Sequence, residues 1–196
     1  MIRIGIICPS EIAFRRFLPA LQKANNKVEF TAIGIASPQE WFGDLSNVPV
    51  EQIEELQSRE CAKAQTFIAQ YGGKIVVGYE ALISSEDIDA VYLPLPPALH
   101  FHWAQKALET GKHVFLEKPS TTCVKDTDAL IRIASQKGLA LHENYMFIYH
   151  SQLETIQNIV RSGEIGDVRL YRISFGCPLR QMNDFRYNKK LGGGAL

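Results

Sequence analysis

The sequence predicts an α/β fold in which helices cover a parallel sheet. Short runs rich in β-branched residues alternate with longer segments of helical period, and turn residues separate them. The chain has 196 residues, of which 46% are hydrophobic, and this is enough for one buried core and the beginning of a second. A wholly disordered chain is therefore excluded.

Six strands are predicted, at residues 2–7, 28–36, 74–77, 90–95, 113–117 and 139–146. Helical segments are predicted between them, at residues 12–21, 51–71, 79–83, 99–110 and 125–136. Gly72, Gly111 and Gly138 are expected to end three of these helices. Six strands alternating with helices are typical of the doubly wound, dinucleotide-binding Rossmann fold.

A second domain is predicted to begin after residue 148. Residues 151–161 have a helical pattern with Ser151 as cap, and residues 168–175 alternate like a strand. We therefore assign residues 1–148 to a Rossmann domain, and residues 149–196 to the start of an α+β domain for substrate binding and oligomerisation. Because a small isolated sheet is marginal in water, we expect this part to belong to a longer chain or to need a partner.

Charge and cysteine content narrow the class of protein. The 21 Lys and Arg residues balance 21 Asp and Glu residues, so no basic field favours a nucleic-acid or membrane partner. The sequence shows no membrane-length apolar run and no signal-peptide core. No C-x-x-C pair indicates a zinc site or a disulfide framework among the four cysteines, Cys8, Cys61, Cys123 and Cys177. We expect a cytoplasmic protein without a bound metal.

The turn after the first strand, here called the phosphate turn (residues 8–12), stands where a dinucleotide-binding protein carries a glycine-rich loop. Cys8 and Ser10 replace two glycines, and Pro9 has no amide to donate. The free amides and the dipole at the start of the next helix still form an anion site. An ordinary strand-to-helix turn is an equally open interpretation. The residues assigned to cofactor contacts here are Cys8, Ser10, Glu11 and Ile12.

The end of the second strand bears on the choice between NAD and NADP. An acidic residue there would bind the adenosine ribose and repel the extra phosphate of NADP. Ser37 occupies this place without charge, and no arginine follows it. Ser37 is therefore assigned to the cofactor site, and the pattern favours NADP while leaving NAD open.

A second candidate turn, here called the lysine turn, consists of Glu117, Lys118 and Pro119 and follows the fifth strand. Open α/β sheets bind ligands in the crevice at the carboxyl ends of their strands. A lysine there can pair with Glu117 and point toward a substrate hydroxyl. The simpler interpretation is a solvated lysine at a strand end.

Several segments occur together in a characteristic order. Gly111-Lys112-His113-Val114 and Glu117-Lys118-Pro119 follow Leu95-Pro96-Pro97-Ala98-Leu99-His100, and precede Tyr149-His150, Gly163-Glu164-Ile165-Gly166 and Gly192-Gly193-Gly194-Ala195-Leu196. This set resembles the Gfo/Idh/MocA oxidoreductase family, named for glucose-fructose oxidoreductase and inositol dehydrogenase. The resemblance extends over nearly the whole chain.

The resemblance implies an NAD- or NADP-dependent enzyme that transfers a hydride between the cofactor and a hydroxyl or ketone of a sugar, a sugar nucleotide or a cyclitol. It implies that Lys118 assists proton transfer, and Glu117 is taken as its catalytic neighbour. A complete chain would form a homo-oligomer. Further cofactor contacts are expected at Leu95, Pro96, His100, Glu117 and Lys118, and substrate contacts at Lys118, Tyr149, His150 and Arg186.

The departures from the family keep an alternative open. Besides the two missing glycines, Pro97 stands where an asparagine is common, and Ile148 where an arginine often precedes Tyr149. The family's segment with an acidic residue and a histidine or tyrosine would begin after Leu196. A regulatory protein that binds a dinucleotide or metabolite without catalysis is therefore the second hypothesis. The Glu117-Lys118-Pro119 sequence favours the enzyme.

Overall fold

The structure is a computed structural model that describes residues 1–24, 27–176 and 178–194. Its centre is a six-stranded sheet with the order β3-β2-β1-β4-β5-β6, in which all neighbouring strands are parallel. This order confirms the predicted doubly wound Rossmann fold. The strands are β1 Ile2–Ile7, β2 Val28–Ile35, β3 Lys74–Val77, β4 Ala90–Leu93, β5 His113–Glu117 and β6 Leu141–Asn144.

Helices connect the strands, as expected for parallel neighbours. A π-helical turn, Ala13–Phe17, continues directly into α1. The α-helices are α1 Leu18–Gln22, α2 Pro38–Phe42, α3 Val50–Tyr71, α4 Tyr79–Ile83, α5 Pro97–Glu109, α6 Val124–Lys137 and α7 Ser151–Ser162. Shorter 3₁₀ turns occupy Met146–Tyr149, Phe185–Tyr187 and Lys189–Leu191. Helix α2 is not among the predicted elements.

Glycines end the long helices at the predicted places. Gly72 follows the last residue of α3 with a φ of 75°, and Gly138 follows α6 with a φ of 65°. A side chain at either position would strain the left-handed backbone that releases the chain from the helix. The helix stops predicted at these two glycines are confirmed.

Each face of the sheet has its own apolar core. One core lies under α4, α5 and α6 and includes Trp103, Leu108 and Leu130. The other lies under α1 and α3 and includes Leu18 and Phe67. Burial on both faces stabilises the sheet, at roughly 1.5–3 kcal/mol for each large apolar side chain, and it fixes the strand ends that carry the candidate site.

The chain after β6 is largely exposed and differs from two of the predictions. His150, rather than Ser151, caps α7, because its Nδ1 accepts a hydrogen bond from the Gln152 amide at 3.1 Å. Residues 168–175 form no strand, since no described segment pairs with them to complete a hydrogen-bond ladder. Residue 148 as a domain boundary stays a prediction. Three residues used in the sequence analysis lie outside the described ranges: Cys177, Ala195 and Leu196.

No helix within the described ranges has both the length and the apolar character needed to cross a membrane.

Candidate active site

The phosphate turn and the lysine turn open onto the same edge of the sheet. Strand β4 lies between β1 and β5, and all three run parallel, so their carboxyl ends face one side. The connection changes direction between β1 and β4, and this is the switch point at which doubly wound sheets bind ligands. This edge of the sheet is therefore the candidate ligand site.

The phosphate turn keeps its tight shape without the first glycine. Cys8 has a φ of 80° and is the one residue other than glycine with a positive φ in the part of the chain that the structure describes. Its amide donates to the Gly34 carbonyl at 3.1 Å, and its own carbonyl accepts from the Ser10 amide at 2.9 Å. Cys8 thus adopts the left-handed backbone that glycine normally supplies.

Ser10 accepts two hydrogen bonds from amides at the start of the following helix. Its hydroxyl accepts a hydrogen bond from the Ala13 amide at 3.2 Å, and its carbonyl accepts one from the Phe14 amide at 3.2 Å. Among the described residues, none accepts a hydrogen bond from the amide of Glu11 or Ile12. Two free amides at a helix start fit an anionic group such as the pyrophosphate of a dinucleotide.

The Cys8 side chain packs against the core under α4. Burial raises the pKa of the thiol to about 11, and contact with the Tyr79 hydroxyl offsets only part of that effect. The thiol therefore stays protonated at neutral pH, which makes it a poor nucleophile.

Helix α2, which follows β2, contains a residue that the sequence analysis missed, Glu40. Its carboxylate accepts hydrogen bonds from the amides of Ser37 at 2.8 Å, Tyr79 at 2.9 Å and Glu80 at 2.9 Å. The Ser37 hydroxyl in turn accepts from the Glu40 amide at 3.3 Å, which completes a capping box. The Ser-x-x-Glu spacing is the sequence signal that could have identified this arrangement.

The lysine turn is organised differently from the prediction. Glu117 forms no ion pair with Lys118, and its Oε1 accepts hydrogen bonds from the Tyr92 hydroxyl at 2.6 Å and from the side-chain amide of Asn144. Lys118 is exposed and takes part in none of the ion pairs between described residues. The bond from Lys118 to Pro119 is cis. The sequence analysis missed Tyr92 and Asn144, which lie on the flanking strands.

His100 joins two loops at the sheet edge. Its Nε2 lies 2.8 Å from the Leu95 carbonyl and its Nδ1 lies 2.8 Å from the Pro119 carbonyl. The side chain is fully buried, and this burial lowers the pKa of the imidazole. The contact of His100 with the cofactor stays a prediction; in this structure the residue has no exposed surface and ties the lysine turn to the loop after β4. Of the other residues predicted in that loop, Leu95 is buried and Pro96 is half-buried.

The residues predicted to contact substrate are spread over the later part of the chain. Tyr149 is exposed, and its ring stacks on His142 with the ring centres 6.5 Å apart. Arg186 Nη1 lies 3.1 Å from both carboxylate oxygens of Asp184. The segment that carries Arg186 continues to Gly192, which packs against the start of α5 near the sheet edge.

A cleft of about 490 Å³ lies beside the phosphate turn. Glu11 forms one wall and the segment before Arg186 forms the other, including Arg180, Gln181 and Asn183. No group of three or more His, Cys, Asp or Glu side chains is placed to hold a metal ion in the described part of the molecule.

Comparison with known protein families identifies the family to which the chain belongs. Residues 2–145 match the oxidoreductase family with an NAD-binding Rossmann fold, GFO_IDH_MocA. The chain belongs to the Gfo/Idh/MocA oxidoreductase family. The resemblance predicted from the sequence motifs is thereby confirmed, and the six-stranded sheet described above is the NAD-binding domain of this family.

Among its relatives are reductases of nucleotide-linked sugars. The chain is 38% identical over 195 residues to dTDP-3,4-didehydro-2,6-dideoxy-alpha-D-glucose 3-reductase of Saccharopolyspora spinosa, a match that covers all of this chain and 52% of the relative. It is 33% identical over 162 residues to D-xylose 1-dehydrogenase (NADP(+)) 2 of Haloferax volcanii, covering 79% of this chain and 50% of that enzyme. The chain spans about half the length of these relatives.

A solved structure of a related protein has the same fold. KijD10, a 3-ketoreductase from Actinomadura kijaniata in complex with NADP and TDP-benzene, superposes with a TM-score of 0.81 and 38% identity. The match covers 98% of this chain and 52% of KijD10. The Gfo/Idh/MocA fold of the chain is thus established by both sequence and structure.

Proposed function

We propose that the protein acts in the NADPH-dependent reduction of a ketone on a nucleotide-linked sugar. The observation that carries this proposal is the placement of two turns at one sheet edge. One has helix-start amides and the other a lysine, and neither the amides nor the lysine is paired with another described residue. Four relatives that are 36–40% identical over the chain are dTDP-sugar 3-reductases. NADPH and a sugar nucleotide are therefore the cofactor and substrate that we propose.

The cofactor would lie along the edge from β2 to β5. The amides of Glu11 and Ile12 would bind its pyrophosphate. In the helix after β2, three backbone amides engage the carboxylate of Glu40, so this acid is not free to bind a ribose. The hydroxyl proton of Ser37 donates to no described group and can serve the extra phosphate of NADP. These contacts favour NADPH over NADH.

Lys118 is the group that we propose for proton transfer. In the reducing direction its ammonium donates a proton to the carbonyl oxygen as that oxygen becomes a hydroxyl, and the neutral amine recovers a proton from water. Bound NADPH supplies the hydride that reaches the carbonyl carbon. His100 keeps the lysine turn beside the loop after β4, and so contributes to the position of Lys118.

Tyr149, His150 and Arg186 are proposed substrate contacts. The exposed ring of Tyr149 offers a surface on which a base can stack, and the guanidinium of Arg186 suits a diphosphate. His150 uses Nδ1 to cap α7 and keeps Nε2 for a hydroxyl group. We also propose that the complete enzyme is a cytoplasmic homo-oligomer without a nucleic-acid or membrane partner, in keeping with its zero net charge.

Titration of the purified chain with NADPH and NADH, followed by nicotinamide fluorescence, tests the cofactor proposal. We expect saturable binding with preference for NADPH, and oxidation of NADPH when a dTDP-keto-sugar is added to an active enzyme that carries this chain. Absence of NADPH binding would contradict the proposal. Binding of the sugar nucleotide without any NADPH binding would favour the regulatory alternative.

A further inference from the structure

The ends of three neighbouring strands converge on the Glu117 carboxylate. Glu117 is the last residue of β5 and pairs in register with Asn144 at the end of β6. Tyr92, on β4, pairs with Phe115, two residues before Glu117 and on the same face of the sheet. This register places one donor on each side of the carboxylate, and both hydrogen bonds go to the same oxygen, Oε1.

The tyrosine donor is held rigidly. Tyr92 has no exposed surface, and its ring stacks on Phe17 with ring centres 3.9 Å apart and a 17° angle between planes. Burial, together with the neighbouring carboxylate, raises the pKa of the hydroxyl, so it remains a protonated donor at neutral pH. Buried Tyr92 therefore fixes the orientation of the Glu117 carboxylate.

Glu117 and Lys118 are adjacent residues of opposite charge, yet they form no ion pair with each other. Two uncharged donors bind Glu117 Oε1, while the Lys118 ammonium is exposed. Uncharged donors fix the orientation of the carboxylate without cancelling its charge. This separation is what a lysine that must meet a substrate oxygen requires.

We propose that Tyr92 and Asn144 are positioning residues that hold the Glu117 carboxylate away from Lys118, and so keep the ammonium available to the substrate. The inference rests on the role proposed above for Lys118. Glu117 then acts on catalysis only indirectly. Its carboxylate is held in a fixed orientation and does not form an ion pair with Lys118.

Chemical labelling of the purified chain tests this directly. The chain is treated with an acetylating N-hydroxysuccinimide ester, and peptide mass spectrometry gives the labelling rate of Lys118 relative to exposed Lys125 in the same sample. Tyr92→Phe or Asn144→Leu frees the carboxylate to pair with Lys118, and a paired ammonium reacts more slowly. We expect Lys118 labelling to fall about threefold, the range of an exposed ion pair.

A second substitution distinguishes positioning from general damage to the fold. Adding Glu117→Gln to Tyr92→Phe removes the freed charge, and Lys118 labelling should return to the wild-type rate. The matched control is Tyr71→Phe, which deletes a hydroxyl bonded to the Phe14 carbonyl and should leave Lys118 unaffected. If Asn144→Leu fails to fold, Tyr92→Phe decides, because it retains the stacked ring.

Two results would overturn the inference: unchanged Lys118 labelling in folded Tyr92→Phe, or a reduction that persists when Glu117→Gln is added. NADPH binding is measured on the same samples. If the wild-type chain does not bind NADPH, the proposed function fails whatever the labelling shows. If NADPH binds and labelling does not change, only the positioning inference fails.

Discussion

The phosphate turn and the lysine turn share one sheet edge but are built on different principles. The phosphate turn offers backbone amides, and a cysteine replaces its first glycine because Cys8 reaches a φ of 80°. The lysine turn offers side chains, and buried partners on β4 and β6 hold Glu117 in place. A site made of backbone tolerates a change of residue that preserves the backbone shape. A site made of side chains does not.

This difference explains why one motif is altered and the other is intact. At the phosphate turn, the cost of a side chain at positive φ is roughly 1–2 kcal/mol, which a well-packed core can offset. At the lysine turn, substitution of the one residue Lys118 would remove the group that we propose for proton transfer. Loss of a glycine from a binding loop is therefore weak grounds for excluding a ligand.

The largest effect is expected at the side-chain site. Lys118→Ala in an active enzyme that carries this chain should lower turnover by about 10²–10⁴, the range for a positioned acid or base. The measurement is NADPH oxidation in the presence of a dTDP-keto-sugar, with Lys125→Ala as control for the loss of an exposed lysine. Ordinary turnover in Lys118→Ala would remove this residue from the mechanism.

The Cys8 thiol should contribute nothing to reactivity at the backbone site. Because burial raises the pKa of Cys8 to about 11, its thiolate fraction near pH 8 is about a hundredfold below that of an ordinary cysteine. Alkylation should modify exposed Cys61 and Cys123 first, and Cys8 should become reactive only as the pH approaches 11. Peptide mass spectrometry over a pH series gives the rates. Rapid labelling of Cys8 near neutral pH would show that its side chain is accessible at the turn.

Sequence patterns predicted the elements that local residues determine and missed the contacts that topology creates. Strand positions and the helix stops at Gly72 and Gly138 follow from residues within a few positions of each other. The partners of Glu117 lie 25 and 27 residues away, so only strand order and register bring them together. Local charge favoured an ion pair between Glu117 and Lys118, and the described structure does not contain that pair.

His100 and Glu40 show two other limits of the sequence patterns. His100 lies in the first turn of α5, near the expected cofactor, but its side chain is buried and contacts two backbone carbonyls. Glu40 had a recognisable capping spacing, yet its bonds to Tyr79 and Glu80 depend on the loop after β3 lying beside the loop after β2. Functional residues at a sheet edge are thus predicted by position more readily than by orientation.

Ser37 belongs to a site that combines both principles, since backbone amides fix Glu40 and we propose that the Ser37 hydroxyl faces the cofactor. Ser37→Asp introduces a carboxylate next to the proposed extra phosphate, and like charges at such a contact cost several kcal/mol. We expect the Kd for NADPH to rise by about tenfold or more, and the Kd for NADH to change less. Fluorescence titration measures both. Ser37→Ala, which removes only the hydroxyl, is the control, and an equal loss of both affinities in Ser37→Asp would contradict the assignment.

The smallest effect is expected for backbone strain at Cys8. Cys8→Ala keeps a Cβ at a φ of 80° and loses the sulfur, whereas Cys8→Gly removes the strain as well. The free energy of unfolding should therefore be about 1 kcal/mol higher for Cys8→Gly than for Cys8→Ala, measured by urea denaturation. The control pair is Ser58→Gly and Ser58→Ala on the exposed side of α3, where helix propensity reverses the order by about 1 kcal/mol. If alanine is the more stable substitution at both positions, the phosphate turn does not depend on its left-handed residue, and the distinction between a backbone site and a side-chain site loses its physical basis.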